Sequence, residues 1–397
     1  MVKKLLSYFF LLGIFLSLIL SFNPNQSKFV SFAENDDILN VGIATLAKES
    51  KSALLMDANT NTIIFEKNIH DKLPIASMTK MMSLSVIFDA INNGKIKEDD
   101  MVTISKHAAD TEGSSAFIDE NASYKVIDLL KTVIIASAND SMVALAEAVA
   151  GTEEHFVDLM NKKTKELGLT DTHFSNVTGL PIAEHYSSAY DCAIIYKTIM
   201  DNPIYTKYSN IWTDELTHPS ARKTELVNTN RLVKTYKGCD SGKTGYTSEA
   251  KYCLTCSAKK GDMRLIAVVI GEPESNTRFR EVTEMFNYGF ANFENKLVAK
   301  ANDYKIEVAT KGGKNGFVLA MPANDYYEFI KKGEKSNLQV SLIYNEIKAP
   351  VIAGSKVGEM VIFDENQIVV AQIPLIAINS DAKQTIKDCI IKITKVW

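Results

Sequence analysis

Two long segments of this chain are apolar on every side of a helix, and not along one stripe only. Residues 76–92 and residues 127–150 are helix-like and rich in Ala, Met, Leu and Ile. Helices of this kind must be covered on all sides, so both are predicted to lie in the core of a domain. The amino-acid composition provides enough apolar residues for other elements to cover these helices. Of the 397 residues 46% are apolar, and the net charge is only −4, which excludes an intrinsically disordered chain.

The segments around these helices predict β-strands and a further helix. Residues 53–68 contain two strand-like runs around a turn, and residues 252–258 and 263–270 form a second hairpin pattern. A helix follows whose apolar residues share one stripe: Phe279, Val282, Phe286, Phe290 and Phe293. The sequence thus predicts an α+β fold, with helical and sheet layers combined in one domain, residues 34–295.

The N-terminus predicts export. Lys3 and Lys4 precede about 16 uncharged and mainly apolar residues (5–20), a pattern typical of a signal peptide and short for a membrane-spanning helix. Ser31 and Ala33 predict cleavage before Glu34, which would remove residues 1–33. The long spacer before this site leaves an uncleaved anchor as the alternative. In both cases the rest of the chain is expected to leave the cytoplasm, and attachment by the C-terminal segment would place it at the outer face of the cytoplasmic membrane.

The residues after 295 predict a different architecture. Short strands separated by Gly- and Pro-containing turns predict a small all-β domain, residues 296–379. Residues 380–397 predict an amphipathic helix that attaches to an anionic membrane surface, because lysines lie opposite an apolar face. A helix docked on its own domain is the alternative. The apolar face comprises Ala382, Ile386, Cys389, Ile390, Ile393, Val396 and Trp397.

A serine followed three residues later by a lysine can place a hydroxyl and an amine on the same helix face. Only Ser77 does so at the start of a strongly apolar helix. Burial there would lower the pKa of Lys80, and its neutral amine could then take the proton of Ser77. A helix-capping serine is the alternative. The pattern occurs five times, starting at Ser77, Ser220, Ser248, Ser257 and Ser380.

Two further patterns could carry chemistry. Ser137 and Asn139 interrupt an apolar run, where they could serve a substrate or form an ordinary helix-breaking turn. Lys243-Thr244-Gly245 occurs once, at the start of the strand-like region, and suits a substrate that binds as an added strand through its carboxylate. Residues 238–244 nearly spell a phosphate-binding loop. The spacing between the glycines is one residue short and a strand follows, so no nucleotide site is expected.

In chain order, Ser77-x-x-Lys80, Ser137-x-Asn139 and Lys243-Thr244-Gly245 resemble the three motifs of penicillin-binding proteins and serine β-lactamases. The stretches PIASMTKMM, HYSSAYD, GKTGYTSEAKYCL and MRLIAVV are also similar to the low-molecular-mass D-alanyl-D-alanine carboxypeptidases of peptidase family S11. The resemblance implies a penicillin-binding-protein-like transpeptidase domain, followed by the small β-domain and the amphipathic tail.

The resemblance also implies roles for the motif residues. Ser77 would attack the carbonyl of the penultimate D-Ala and form an acyl-enzyme, with Lys80 as its base. Ser137 would relay the proton to the leaving D-Ala, and Asn139 would hold the substrate amide. The backbone N–H groups of Ser77 and Tyr246 would form the oxyanion hole. The residues expected to bind substrate are Lys243, Thr244, Gly245, Tyr246 and Arg264. Of these, Arg264 is expected to assist in binding the carboxylate.

The expected partners are peptidoglycan stems ending in D-Ala-D-Ala, β-lactams and the membrane surface. A nucleic-acid partner is not expected at a pI near 6.0. No cofactor or metal is expected, since none of the six histidines has zinc-ligand spacing and the family needs none.

Cys253 and Cys256 should face opposite sides of a strand, and Cys192 and Cys239 should be core or surface thiols. The alternative functions are a serine β-lactamase and a non-catalytic wall-binding protein on the same fold.

Overall fold

The computed structural model describes residues 45–388 and 390. The predicted signal segment, residues 1–33, lies outside them. The α-helices are α1 Lys80–Asn92, α2 Lys106–Ala109, α3 Val126–Ala136, α4 Asn139–Ala150, α5 Glu153–Glu166, α6 Ala189–Lys197, α7 Pro203–Ser209, α8 Leu232–Thr235 and α9 Ser275–Asn292. Two 3₁₀ turns span Ala76–Thr79 and Ala301–Tyr304.

The strands fall into a first group in the larger domain and a second group after residue 292. The first group is β1 Ser52–Asp57, β2 Ile63–Lys67, β3 Met101–Thr103, β4 Ser123–Lys125, β5 Thr213–Thr217, β6 Lys223–Val227, β7 Cys239–Thr247, β8 Lys251–Lys260 and β9 Met263–Glu272. The second is β10 Phe293–Ala299, β11 Ile306–Lys311, β12 Phe317–Pro322, β13 Tyr326–Lys331, β14 Gln339–Tyr344, β15 Ile347–Lys348, β16 Lys356–Phe363 and β17 Val369–Ala377.

The larger domain is built on an antiparallel sheet of five strands, in the order β2-β1-β9-β8-β7. Side chains alternate between its two faces, as the period of a strand requires. Leu54 and Met56 face the helical core that contains α1, α3, α4 and α6, whereas Leu55 faces α9. The predicted combination of helical and sheet layers and the predicted burial of the apolar helices are confirmed.

The strand that carries Lys243 is longer than the sequence indicated. We expected the hairpin of residues 252–258 and 263–270 to begin near Gly245. Instead, β7 is a separate edge strand that pairs with β8, and Lys243 lies in its middle. Gly242 and Gly245 are poor strand formers, which explains why the pattern hid this strand. Residues 239–244 of the near phosphate-binding pattern therefore lie within a strand, and the strand β8 follows them.

The C-terminal region is all-β up to residue 377. A sheet of six strands has the order β14-β16-β17-β12-β11-β15, and β10 pairs with β13. The predicted helix does not start at residue 380. Asp381 is buried and accepts hydrogen bonds from the backbone N–H groups of Asn315 and Gly316, so the chain is still extended there. Helical geometry begins at Ile386.

Most of the remaining tail prediction lies outside the described residues, which omit Cys389 and residues 391–397. Among the helices that the structure describes, none combines the length and the apolar character that crossing a membrane would require.

Candidate active site

Ser77 lies in the 3₁₀ turn just before α1, and not in the helix itself. Its side chain is partly exposed, whereas Ile75 and Ala76 beside it are buried. The turn is held by a neighbouring loop that approaches very closely. A Cβ atom on Gly179 would lie 1.9 Å from the carbonyl oxygen of Ala76, and the φ of Gly179 is +87°. Only glycine allows this approach, which fixes the position of Ser77.

The amine of Lys80 is fully buried beneath Ser77. Its Nζ atom lies 3.0 Å from Ser77 Oγ, 2.5 Å from Asn139 Oδ1 and 2.9 Å from the carbonyl oxygen of Thr178. The pKa of Lys80 is held well below its usual value, mainly by burial and secondly by the nearby Lys243 cation. The neutral amine is thereby favoured.

The partners of Lys80 match a neutral amine. A neutral amine has two hydrogens and one lone pair. Asn139 Oδ1 and the carbonyl oxygen of Thr178 can only accept, so they take the two hydrogens. The lone pair then faces the hydroxyl of Ser77, which can donate its proton. This arrangement prepares Ser77 as a nucleophile.

Ser137 and Asn139 lie at the junction of α3 and α4. Ser137 ends α3 with a φ of +62°, so the apolar run breaks there and its side chain points into the site. Asn139 starts α4, and its Nδ2 group donates to the carbonyl oxygen of Glu112 at 2.6 Å. One hydrogen of that amide therefore remains for another acceptor.

Lys243 reaches across from β7 to Ser137. Its Nζ donates to Ser137 Oγ at 2.7 Å and to the carbonyl oxygen of Thr244 at 3.0 Å. Burial, with the Arg278 cation as a second cause, lowers the pKa of Lys243 to about 7. Two hydrogen-bonded pairs, Ser77 with Lys80 and Ser137 with Lys243, thus share one site, and Asn139 also contacts Lys80.

Gly245 allows β7 to approach the turn that carries Ser77. A Cβ atom on Gly245 would lie 2.5 Å from the carbonyl oxygen of Ile75 and 3.3 Å from the backbone nitrogen of Met78. Tyr246 comes next, is 54% exposed and stacks on Tyr252 with ring centroids 4.3 Å apart. The structure therefore brings Gly245 and Tyr246 to the rim of the site.

Arg264 is not part of this cluster. Its guanidinium pairs with Asp240 and Asp201, near the start of β7. The arginine that does lie beside the motif is Arg278 of α9. Its Nη1 atom is 3.1 Å from the carbonyl oxygen of Gly245, and burial lowers its pKa to about 10. The sequence offered no signal for Arg278, because its distance from the motif depends on how α9 packs on the sheet.

Two buried side chains that support the site were also not predicted. Asp140 accepts hydrogen bonds from the backbone N–H groups of Ala116 and Ile118, and so positions the loop beside Asn139. His185 contacts Thr79, which lies between Ser77 and Lys80, with 2.7 Å between Nε2 and Oγ1. Burial lowers the pKa of His185 to about 4, so the ring is neutral at pH 7. Among the described residues, no group of three or more His, Cys, Asp or Glu could hold a metal ion.

Comparison with known proteins shows the family to which a chain with this site belongs. Residues 41–274 match the family model described as D-alanyl-D-alanine carboxypeptidase, Peptidase_S11. The chain belongs to this family. Residues 293–383 match the model of the C-terminal domain of penicillin-binding protein 5, which agrees with the all-β region. As an S11 member the chain is a serine-type peptidase, and the predicted fold class is confirmed except for its C-terminal helix.

Named relatives agree with this membership. The chain is 41% identical to the D-alanyl-D-alanine carboxypeptidase DacF of Bacillus subtilis, over 94% of both chains. It is 35% identical to DacC of Escherichia coli, over 84% of both. It also resembles the crystal structure of penicillin-binding protein 5 from Haemophilus influenzae with a TM-score of 0.67 and 33% identity, over 84% of this chain and 98% of that one. These relatives favour the carboxypeptidase over a β-lactamase or a non-catalytic protein, and they are consistent with export.

Proposed function

We propose that this protein removes the terminal D-alanine from peptidoglycan stems that end in D-Ala-D-Ala, through an acyl-enzyme on Ser77. The observation that carries the proposal is the amine of Lys80. It is buried, it gives its hydrogens to two carbonyl oxygens, and it lies 3.0 Å from Ser77 Oγ. Such an amine can act as a general base at neutral pH.

In the acylation step, Ser77 Oγ attacks the carbonyl carbon of the penultimate D-Ala while its proton passes to Lys80 Nζ. The backbone N–H groups of Ser77 and Tyr246 stabilise the oxyanion, and each donor contributes about 2.7–4 kcal/mol to the transition state. The close approach of β7 to the Ser77 turn supports this pairing. The ester bond to Ser77 then forms as the C–N bond breaks.

The leaving amine of D-Ala needs a proton, and Ser137 is positioned to deliver it. Ser137 Oγ is held by Lys243 Nζ at 2.7 Å, and it can pass its proton to the amine and take back the proton that Lys80 received from Ser77, so Lys80 becomes neutral again and Lys243 keeps its charge. Water then hydrolyses the ester. In the described part of the chain no carboxylate hydrogen-bonds Ser77, so we assign activation of this water to Lys80 as well.

The terminal carboxylate of the substrate would lie between Lys243, Thr244 and Arg278. We assign the assisting guanidinium to Arg278 and not to Arg264, because Arg278 adjoins Gly245 and influences the pKa of Lys243. The side chain of Arg264 already has two carboxylate partners.

Arg278→Gln should lower kcat/KM for D-Ala-D-Ala peptides about 10- to 100-fold, mainly through KM, since a charged hydrogen bond contributes about 1.5–3 kcal/mol. Arg278→Lys should restore part of this loss. The matched variant Arg264→Gln should stay within about threefold of the wild type. Steady-state kinetics on a D-Ala-D-Ala peptide measure all three, and a larger loss for Arg264→Gln would reverse the assignment.

The activity itself is tested by D-Ala release from a peptide that ends in D-Ala-D-Ala, measured in parallel with fluorescent penicillin labelling. We expect release, together with a long-lived penicillin adduct. Rapid turnover of penicillin would indicate a β-lactamase instead. Neither release nor labelling by the intact protein would leave only a non-catalytic role.

The two lysines predict a bell-shaped pH dependence of kcat/KM. The acidic limb rises as Lys80 loses its proton and becomes a base. The alkaline limb falls through pH about 7, where Lys243 loses the charge that binds the carboxylate. Bound carboxylate raises the pKa of Lys243, so the alkaline limb of kcat should lie at higher pH than that of kcat/KM. Coincident alkaline limbs would contradict this role of Lys243.

We also propose that the enzyme is exported and attaches to the membrane surface through the helix that begins at Ile386. Ile386 is 82% exposed and Ile390 is 56% exposed, on a segment that also carries lysines. Truncation after Thr385 keeps the buried Asp381, and should release the mature protein from membranes while soluble activity is unchanged. Membrane fractionation and D-Ala release measure this. Continued membrane binding would point to the N-terminal segment.

A further inference from the structure

Two cysteines contact each other at the base of the strand that carries Lys243. The Sγ atoms of Cys239 on β7 and Cys256 on β8 are 3.4 Å apart. Cys239 pairs with Ala258 in the register of the two strands, and Cys256 pairs with Gly242. The register shifts between Cys239 and Ser241, which draws these diagonal neighbours together. Both side chains lie on the sheet face that α9 covers.

The other two thiols that the structure describes have different surroundings. Cys192 is buried and contacts the hydroxyl of Ser187, and Cys253 is buried and contacts the carbonyl oxygen of Ala250. Cys253 faces the opposite side of the sheet from Cys256, as the sequence predicted. Cys239 and Cys256 are therefore the adjacent pair among the four cysteines whose side chains are described.

We propose that Cys239 and Cys256 form an oxidation site that closes to a cross-strand disulfide when the protein meets a small-molecule disulfide. The sulfur atoms must move only from 3.4 Å to the bonding distance of about 2.05 Å. Cys239 is the entry point because it is partly exposed, whereas Cys256 is fully buried.

The disulfide forms by thiol–disulfide exchange in two steps. The thiolate of Cys239 attacks one sulfur of the small disulfide, forms a mixed disulfide and releases one thiolate. Cys256 then loses its proton to that thiolate or to water, attacks Cys239 Sγ and releases the second small thiolate. The two cysteines are oxidised and the small disulfide is reduced to two thiols. Burial raises the pKa of the Cys256 thiol well above its usual value, so the second step is the slow one.

The bond would join β7 and β8 at the open end of their hairpin, where β7 begins. A cross-link between residues 239 and 256 restricts the unfolded chain, so we expect the Tm to rise by about 5 °C. Penicillin acylation should change by less than about twofold, because neither sulfur contacts the active-site residues. The site would thus stabilise the enzyme without altering its chemistry.

The test uses the reduced full-length protein, which is incubated with oxidised glutathione, alkylated and digested with trypsin. Trypsin places Cys239 in residues 238–243, and places Cys253 and Cys256 together in residues 252–259. Fragmentation of the linked peptides then identifies the partner of Cys239. We expect a bond to Cys256, loss of that bond in Cys239→Ser, and retention in the matched variant Cys253→Ser.

The melting temperature provides the second readout. It should rise on oxidation of the wild type and of Cys253→Ser, fall back on reduction, and stay constant in Cys239→Ser. A mixed disulfide that persists on Cys239 for many hours would overturn the proposal, and so would a link from Cys239 to Cys253. Formation of the bond without a change in Tm would overturn the stabilising role.

Discussion

Ser77→Ala should abolish covalent labelling by fluorescent penicillin and the release of D-Ala, while the melting temperature should change by no more than about two degrees. The activity disappears because the variant has no atom that can form the ester. The fold is little affected because the hydroxyl is partly exposed, and its hydrogen bond is to Lys80 alone among the described groups. Loss of one such bond costs about 1 kcal/mol, which is a small shift in Tm for a protein of this size.

The matched control is Ser220→Ala. Ser220 also begins a Ser-x-x-Lys pattern, but it is exposed and its hydroxyl contacts Asp119 at 3.4 Å. This variant should label and turn over like the wild type. Peptide mapping of the penicillin adduct should place it on Ser77 in both the wild type and the control. Labelling that survives in Ser77→Ala would identify another nucleophile and would overturn the proposed mechanism.

The sequence was sufficient to predict the parts of this site that are local in the chain. Ser77 and Lys80 lie one helical turn apart, and residues 137–139 interrupt a single apolar run. Such spacings determine which side chains can lie together before any tertiary contact is known. The apolar helices and the alternating strands likewise predicted the layers, because burial has a period that the sequence displays.

The arrangement across elements could not be predicted in the same way. Arg278 reaches Gly245 only because α9 packs on the same sheet, and no spacing in the chain encodes that contact. Arg264 was the more obvious candidate because it opens the second strand of the predicted hairpin, yet β8 separates its strand from β7 and its side chain points to Asp240 and Asp201. The tail shows a similar effect. Asp381 fits a helical pattern, but its buried contacts with the β-domain hold it in an extended segment.

Lys80→Met should lower the rate of penicillin acylation about 10²- to 10⁴-fold, the usual range for loss of a general base. Methionine keeps the length and apolar character of the lysine stem and removes only the amine. The carbonyl oxygens of Asn139 and Thr178 lose a donor, but burial of an amine is no longer required, so these effects on stability partly offset each other. The double variant with Ser77→Ala should be no less active than Ser77→Ala alone, since the two residues act as a unit.

The variant Lys80→Arg distinguishes two possible roles of Lys80, a general base and a fixed cation. A guanidinium keeps the positive charge and the hydrogen-bond donors, but it stays protonated at any pH that the protein tolerates. If Lys80 served only as a cation that orients Ser77, the arginine variant would retain much of the acylation rate. We expect it to be as impaired as Lys80→Met, and the acidic limb of the rate profile to be absent from both variants. An arginine variant within about tenfold of the wild type would show that the proton of Ser77 goes elsewhere.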